Sequence, residues 1–337
     1  MTGPSTKGAG TTLLSAQDIH INFGGVAAAD GVSLDVLTGE RLAIIGPNGA
    51  GKTTFINIST GYLRPQSGKV TLDGVDITRR APRAISRLGV ARSFQIPQLF
   101  TESTAIETLL LAAAARSRAW NPFQALLDRP ERAEMLHILE LLGVPDVAER
   151  VIGELPEGTR KLIDIGVALA LKPRLLLMDE PTAALDLLMQ RSIISMLREL
   201  RDEFDLTIVF ITHDLPLVAG LSDRIGVMYA FEFIEVGDTR SLLKDAAHPY
   251  TRALLRSVPS IDSDLDSMQP IEGARPDPVN IPNGCSFHPR CPIADDRCEI
   301  EDPGLVSVDD DHTAACFYTD QARSELEYRL DHGVVED

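Results

Sequence analysis

The stretch RLAIIGPNGAGKTT, residues 41–54, decides the fold of this 337-residue chain. It begins with an apolar run, continues with a glycine-rich loop, and leads into TTFINISTGYL at 53–63. Phe55, Ile56 and Tyr62 suit one face of a helix that packs on a sheet. The order of strand, tight loop and helix predicts the first unit of an α/β core.

The loop satisfies the pattern G-x-x-x-x-G-K-[ST], which binds phosphate where it joins a strand to a helix. Its glycines let backbone N–H groups face a phosphate without obstruction by Cβ atoms, and the helix dipole favours an anion there. Lys52 is predicted to reach the β- and γ-phosphates, and the Thr53 hydroxyl to meet Mg²⁺. The predicted nucleotide-binding residues of the loop are Gly46, Asn48, Gly49, Gly51, Lys52, Thr53 and Thr54. The implied ligands are ATP and Mg²⁺.

A second motif, LLLMDEP at 175–181, ends an apolar strand in two carboxylates. Asp179, at the strand end, is predicted to bind Mg²⁺ through water. Glu180 beside it is predicted to polarise the water that attacks the γ-phosphate. Together with the phosphate loop, this pair of acids predicts nucleotide hydrolysis.

The surrounding pattern predicts which elements carry these motifs. Residues 13–45 are typical of short strands, and GKVTLDGVDIT at 68–78 of a hairpin that turns at Asp73 and Gly74. Helical spacing then dominates residues 97–155.

Strand character returns at 175–178 and again at 207–212, on either side of the helical RSIISMLRELRDEF. This alternation of strand, helix and strand predicts a parallel sheet. The fold class is therefore α/β.

Composition limits the class of protein. The net charge of −17 disfavours a nucleic-acid partner, which would select a basic face. No apolar run approaches the ~20 residues that span a bilayer. Residues 1–12 are polar, as in a disordered lead, and lack the apolar segment of a signal peptide. We therefore expect a cytoplasmic chain that does not itself cross a membrane.

The order of these motifs resembles the ATPase subunits of ABC transporters over about residues 13–258. It runs GPNGAGKTT, then RSFQ ending at Gln95, then LLLMDEPTAALD, then ITHD with His213. The resemblance implies that Gln95 contacts Mg²⁺ and senses the γ-phosphate, and that His213 is the switch histidine, so both join Glu180 as candidate catalytic residues. It also implies that Phe23 stacks on adenine and that Asp186 lies at the interface of an ATPase dimer.

The resemblance implies an architecture and a role. The architecture is a P-loop NTPase core with an antiparallel β subdomain and a helical subdomain at about 97–160. The role is ATP-driven closure of a dimer at the cytoplasmic face of the cell membrane, as a peripheral subunit of an importer. The implied partners are transmembrane permease subunits, a second ATPase subunit and an extracytoplasmic substrate-binding protein.

Two branches of the family are recognisable. FGGVAAADGVSLDV at 23–36 and LGVARSFQIPQLFTESTAIETLL at 88–110 are similar to ATPases of branched-chain amino acid importers. HPYTRALLRSVPS at 248–260 and NGCSFHPRCPIADDRC at 283–298 instead resemble ATPases of oligopeptide and dipeptide importers. The predicted cargo is therefore peptides or amino acids.

The four cysteines lie in a C-terminal extension, residues 284–337, that follows a proline-rich linker at 259–283. They are Cys285, Cys291, Cys298 and Cys316. In a reducing compartment clustered thiols favour a metal site over a disulfide frame, and a segment this short needs a staple. The spacing matches neither zinc knuckles nor ferredoxins, so Zn²⁺, a 4Fe-4S cluster and free or disulfide-paired thiols all stay open. The resemblance to peptide-importer ATPases, some of which carry an iron-sulfur cluster here, favours 4Fe-4S over Zn²⁺.

One segment departs from the family. The signature LSGGQ, whose serine and backbone N–H groups bind the γ-phosphate held by the opposing subunit, is replaced by LPEGT at 155–159. Pro156 has no N–H to donate, and Glu157 brings negative charge toward a triphosphate. We therefore predict that the second ATPase is a different chain with a normal signature, which gives two unequal sites.

Two other functions fit parts of the sequence. A soluble ABC ATPase that acts on nucleic acid or the ribosome usually carries a second cassette or a coiled-coil insertion, and this sequence shows neither. A regulatory subunit that binds ATP without hydrolysing it is disfavoured by the intact Lys52, Asp179, Glu180 and His213.

Overall fold

The computed structural model describes residues 10–116, 126–183, 187–257, 271–274 and 276–328. Within these ranges the chain forms two β-sheets with helices packed against them. The strands are β1 (Thr12–Phe23), β2 (Val26–Leu37), β3 (Arg41–Ile45), β4 (Ser67–Leu72), β5 (Val75–Asp76), β6 (Val90–Ser93), β7 (Leu175–Asp179), β8 (Thr207–Ile211), β9 (Arg224–Tyr229), β10 (Glu232–Asp238), β11 (Val306–Asp309) and β12 (His312–Ala314).

Helices connect most of the strands. The α-helices are α1 (Lys52–Ser59), α2 (Pro82–Ser86), α3 (Ala105–Arg116), α4 (Arg132–Leu141), α5 (Glu157–Ala170), α6 (Leu187–Phe204), α7 (Leu215–Leu221), α8 (Thr239–Lys244), α9 (Pro249–Arg256), α10 (Asp296–Ile300) and α11 (Thr319–Glu325). Within the described ranges, no helix combines the length and the apolar character needed to cross a bilayer.

The phosphate loop joins the central strand of the larger sheet to α1. The strands of this sheet lie in the order β11, β12, β10, β9, β3, β8, β7, β6. β3 pairs parallel with β8 and β9, and β7 pairs parallel with β8 and β6, as the sequence predicts. Apart from Arg41, both β3 and β7 are buried throughout, because helices cover one face of the sheet and the smaller sheet, with α1, covers the other. This burial explains why both strands are continuous apolar runs in the sequence.

A smaller antiparallel sheet has the order β2, β1, β4, β5. β4 and β5 form the predicted hairpin, and its turn residues Asp73 and Gly74 have φ angles of 50° and 75°. Two positive φ angles in succession fit the right-handed twist of a hairpin. The inner face of this sheet shares one core with Phe55 and Ile56 of α1.

The first helix is shorter than its pattern predicts, and Tyr62 does not pack on the sheet. The helix ends at Ser59, and Gly61 follows at φ 77°, where a Cβ atom would lie 2.6 Å from the carbonyl oxygen of Arg80. Tyr62 is 55% exposed and meets the ring of Phe94 edge to face at 5.9 Å. The prediction for Tyr62 is wrong because the chain turns at Gly61 before another helical turn forms.

Helices α3, α4 and α5 form the segment with helical spacing between β6 and β7. Gly166 on α5 lets the other two approach closely, because a Cβ there would lie 2.9 Å from Leu142 Cδ1 and within 3.5 Å of Ile138 and Leu109. α5 continues to Ala170, beyond the boundary that we expected near residue 160.

The C-terminal extension continues the larger sheet. β12 pairs with β10, with Glu235 opposite Ala314, and β11 adds a further strand outside it. Phe287 is buried and packs edge to face on Tyr229 and Tyr250, each at 5.4 Å between ring centroids. The extension therefore shares the core of the ATPase body, so its short length alone no longer requires a metal staple.

The predicted linker at 259–283 lies partly outside the described residues. Its described part contacts β2 and the C-terminal extension through backbone oxygens. Ala27 N of β2 donates to Pro278 O at 3.1 Å, and Arg290 Nη2 donates to Ile271 O at 2.8 Å. These contacts tie this part of the linker to folded structure at two points.

A buried carboxylate on β10 joins the extension to the ATPase body. Glu235 is completely buried and accepts hydrogen bonds from His312 Nε2 at 2.8 Å and from the backbone N–H groups of Ala247 and His248. Burial lowers the pKa of His248 to about 4, and its Nδ1 accepts from Tyr250 N at 3.0 Å. One side chain therefore holds β12 and the connection between α8 and α9.

Replacement of Glu235 by alanine should lower the free energy of unfolding by about 3 kcal/mol, because three donors lose their acceptor inside the core. Urea denaturation of the full chain measures the change. The matched control is Glu301→Ala, which removes an exposed carboxylate paired with Arg297 and should cost less than about 0.5 kcal/mol. Equal stability of the two variants would contradict the anchoring role of Glu235.

Candidate functional site

The phosphate loop and the two acids meet at one edge of the larger sheet. Because β3, β7 and β8 run parallel, their carboxyl ends lie side by side. Gly46 follows β3, Asp179 ends β7, and His213 comes two residues after β8. This edge is the candidate nucleotide site.

The loop has a conformation that only glycine adopts easily. Gly46 has φ 145°, and a Cβ there would lie 2.2 Å from Met228 O of β9; Gly51 has φ 100°. Lys52 folds back over the loop and donates from Nζ to Gly46 O at 2.7 Å and to Pro47 O at 2.8 Å. The ammonium group therefore lies within the curve of the loop, where phosphates would bind.

The other predicted loop residues face outward. Asn48, Gly49 and Thr53 are exposed, and Thr54 is partly buried on α1. Gly49 has a positive φ of 85° at the tip of the loop. Their exposure leaves this side of the loop open to a ligand.

Two of the three residues predicted to contact Mg²⁺, Thr53 and Asp179, contact each other. The Thr53 hydroxyl donates to Asp179 Oδ1 at 3.4 Å, and Arg92 Nη2 donates to Asp179 Oδ2 at 3.2 Å. Asp179 is 1% exposed. Arg92 is not predictable from local spacing, because its partner Asp179 lies 87 residues later on another strand.

The predicted catalytic residues Glu180 and His213 also meet. His213 Nδ1 lies 3.0 Å from a carboxylate oxygen of Glu180. Glu180 is buried and has φ 50°, a region that is costly for a residue with a Cβ, and its N–H donates to Ile211 O at 3.0 Å. His213 is 76% exposed and can reach both the carboxylate and solvent.

Gln95 and Phe23 lie on the solvent side. Gln95 is exposed two residues after β6, and its carbonyl oxygen accepts from Lys161 Nζ at 3.4 Å. Phe23 ends β1 with half of its surface exposed, so its ring is accessible for stacking. Asp186 lies outside the described residues.

Two buried charges on α5 hold the start of the segment that carries Gln95. Asp164 accepts from Ser93 Oγ at 2.7 Å and from Phe94 N at 2.9 Å. Lys161 donates to the carbonyl oxygens of Phe94 and Asp179. Burial lowers the pKa of Lys161 and raises the pKa of Asp164. The negative charge of Asp164 opposes the first shift, and the positive charge of Lys161 opposes the second. Sequence reasoning missed both, although each interrupts the apolar face of an amphipathic helix.

The unusual segment LPEGT lies at the N-terminus of α5. Pro156 is the N-cap, Glu157 is the first helical residue, and the Arg160 N–H makes the first helical bond, to Pro156 O at 3.0 Å. The first N–H groups of any helix have no acceptor within it, and here they follow the proline. Pro156 itself has no N–H, but the N–H groups of the residues after it still point out of the start of α5. What distinguishes this segment is the absent serine hydroxyl and the charge of Glu157.

A cavity in the extension is lined by the side chains of all four cysteines. The residues are Cys285, Cys291, Cys298 and Cys316. Burial raises the pKa of Cys285 to about 12 and that of Cys291 and Cys316 to about 11. Among the described residues, no group of three or more His, Cys, Asp or Glu side chains is arranged to hold a metal ion.

Comparison with known proteins places this geometry in a family. The ABC transporter profile matches residues 29–183, and the profile of the oligopeptide/dipeptide transporter C-terminal region matches residues 234–298. The dipeptide transport ATP-binding protein DppD of Bacillus subtilis is 35% identical over 96% of this chain and 97% of its own length. DppD of Escherichia coli is 33% identical over 91% and 96%.

Solved structures agree with the fold. A nucleotide-free ATP-binding cassette from an ABC transporter superposes with a TM-score of 0.62 at 32% identity, over 69% of this chain and 94% of that one. An ADP-bound cassette gives a TM-score of 0.63 at 31% identity, over 72% and 98%. The chain therefore belongs to the ATP-hydrolysing subunits of ABC transporters and carries the C-terminal region of their oligopeptide and dipeptide branch.

Proposed function

We propose that this chain powers the import of peptides. The observation that carries the proposal is similarity along nearly the whole chain to a dipeptide transport ATP-binding protein, together with the matching C-terminal region. The chain would act at the cytoplasmic face of the membrane, on permease subunits that receive peptide from a substrate-binding protein. Peptides are favoured over branched-chain amino acids because the similarity to peptide transporters includes the extension as well as the core.

The residues of the phosphate loop would bind the nucleotide. Lys52 already lies in the curve of the loop, and the backbone N–H groups of the loop and the start of α1 favour an anion. Thr53 and Asp179 would hold Mg²⁺, which neutralises phosphate charge when bound. Phe23 would stack on adenine, and the exposed Gln95 would reach the γ-phosphate.

The paired Glu180 and His213 would carry the chemistry of hydrolysis. Glu180 directly follows the proposed Mg²⁺ residue Asp179, so it would face the water aligned behind the γ-phosphate. Its contact with His213 orients the carboxylate before nucleotide arrives. His213 would then contact the γ-phosphate.

Glu180→Gln should preserve ATP binding and lower turnover by about 100-fold or more, because the amide cannot accept the proton of the attacking water. The measurement is the ATPase rate of the assembled transporter with peptide-loaded binding protein. Unchanged peptide-stimulated turnover would reject the assignment.

Two further variants separate binding from chemistry. Lys52→Ala should weaken nucleotide binding itself, which a nucleotide titration of the isolated subunit measures. Glu199→Gln is the matched control, since Glu199 is an exposed carboxylate whose side chain contacts Ser195 on the same helix, and it should change neither binding nor turnover.

We further propose that the four cysteines hold a 4Fe-4S cluster. All four cysteines line one cavity, as the ligands of a group held by four thiolates would. The match to the C-terminal region of oligopeptide and dipeptide transporters covers three of them, Cys285, Cys291 and Cys298. Because burial keeps these thiols protonated, cluster binding would release protons.

Anaerobically purified protein should be brown, absorb at about 400 nm and contain about four irons per chain. Cys291→Ser should lose most of the iron and loosen the extension, while nucleotide binding persists because the cavity contains no residue of the phosphate loop. Iron analysis and absorption spectra measure both effects. Stoichiometric zinc without iron would reject the cluster.

The second ATPase, we propose, is a different chain with a normal signature. In a head-to-tail dimer this chain would give its phosphate loop, Glu180 and His213 to one site and LPEGT to the other. The second site would lack the serine hydroxyl and face the charge of Glu157. Loss of one charge-assisted contact costs about 1.5–3 kcal/mol, which is roughly tenfold to a hundredfold in affinity or rate.

Hydrolysis should therefore run mainly at the site built on Lys52. Glu180→Gln should abolish nearly all turnover of the complex, whereas the equivalent change in the partner ATPase should spare much of it. The comparison of the two ATPase rates is decisive. Equal losses, or a homodimer that hydrolyses ATP at a normal rate, would show that LPEGT works as an ordinary signature.

A further inference from the structure

Arg92 is a largely buried arginine in the candidate site, and the roles proposed above do not involve it. It lies on β6, three residues before Gln95, and its side chain is 9% exposed. Its guanidinium contacts Asp179 Oδ2 on one side and Asn57 Oδ1 on the other. The ring of Phe94 packs against it, with 4.8 Å between the guanidinium carbon and the ring centroid. Arg92 thus bridges the strand that carries Asp179 and the helix that follows the phosphate loop.

The energetics suggest that this ion pair is not kept for stability alone. Both partners are buried, and the desolvation of two charges commonly cancels their attraction, so an apolar pair of similar volume would often be as stable. Arg92 Nε is also buried without a hydrogen-bond partner, which adds to the cost. A cost of this kind at an active site points to a functional constraint.

The geometry shows what the contact achieves. Arg92 occupies Oδ2 of Asp179, and the other oxygen, Oδ1, faces the Thr53 hydroxyl. Asn57, one helical turn after Thr53 on α1, holds the opposite side of the guanidinium. The plane of the carboxylate is therefore fixed relative to the helix that presents Thr53, by two contacts rather than one.

We propose that Arg92 is a positioning residue for Mg²⁺: by holding Oδ2 of Asp179, it turns Oδ1 toward Thr53, where the ion would bind. The inference rests on the proposed Mg²⁺ role of Thr53 and Asp179. Removal of a group that orients a metal ligand in this way typically lowers metal affinity by about 10-fold to 100-fold.

The test uses nucleotide binding to the full chain, measured once in EDTA and then at rising Mg²⁺. Arg92→Met should leave ATP affinity in EDTA within about twofold and raise the Mg²⁺ concentration at half-maximal enhancement of binding by about tenfold or more. An unchanged or lower Mg²⁺ requirement would overturn the proposal. Arg174→Met, which removes an exposed arginine paired with Asp73, is the matched control and should behave as wild type.

Two other substitutions distinguish positioning from charge compensation. Arg92→Lys keeps the charge but lacks the planar fork that spans Asp179 and Asn57, so it should not restore the Mg²⁺ requirement. Full restoration by lysine would overturn the proposal. Asn57→Ala leaves the ion pair intact and frees the guanidinium, and it should raise the Mg²⁺ requirement less than Arg92→Met does. If Arg92→Met does not fold, Asn57→Ala tests the proposal in its place, and an Mg²⁺ requirement equal to that of wild type would overturn it.

Asp179→Asn separates failure of this inference from failure of the proposed site. If Asp179→Asn leaves the Mg²⁺ dependence of binding unchanged, the proposed Mg²⁺ role of Asp179 is wrong and the inference about Arg92 falls with it. If Asp179→Asn raises the Mg²⁺ requirement and Arg92→Met does not, only the inference about Arg92 is wrong.

Discussion

A buried carboxylate at the end of a parallel strand, Asp179, sets the conditions for the rest of the site. Thr53 of α1 and Arg92 of β6 donate to its carboxylate, and Lys161 of α5 donates to its backbone carbonyl oxygen. The phosphate loop, the segment that carries Gln95 and the helix behind LPEGT therefore converge on one residue, and a shift of any of the three alters its surroundings.

The second organising feature is the hairpin of β9 and β10, which serves two regions at once. Met228 of β9 packs so closely on Gly46 that no side chain fits between them. In β10, Glu235 anchors β12 and the start of α9. The phosphate loop and the cysteine-containing extension are thus supported by the same pair of strands, although they lie about 240 residues apart in sequence.

The sequence predicts features that depend on local spacing and misses those that depend on pairing between distant elements. The phosphate loop, the acids after β7 and the hairpin at Asp73 follow from short patterns with a physical cause. Arg92 and Lys161 do not, because their partners lie on other elements and only the fold brings them together. β12 has three residues, too few to show a strand period, so its addition to the larger sheet leaves no trace in the sequence.

The extension determines how one edge of the larger sheet ends. A strand such as β10 offers unpaired N–H and C=O groups to other chains unless something covers it. Here β12 covers it, and β11 closes the sheet as a short, mostly exposed strand that ends at Asp309, the first of the three consecutive acids Asp309, Asp310 and Asp311. A short and highly charged last strand is a poor template for further pairing. Loss of β11 and β12 would expose the backbone N–H and C=O groups of β10, the kind of strand edge to which other chains can add.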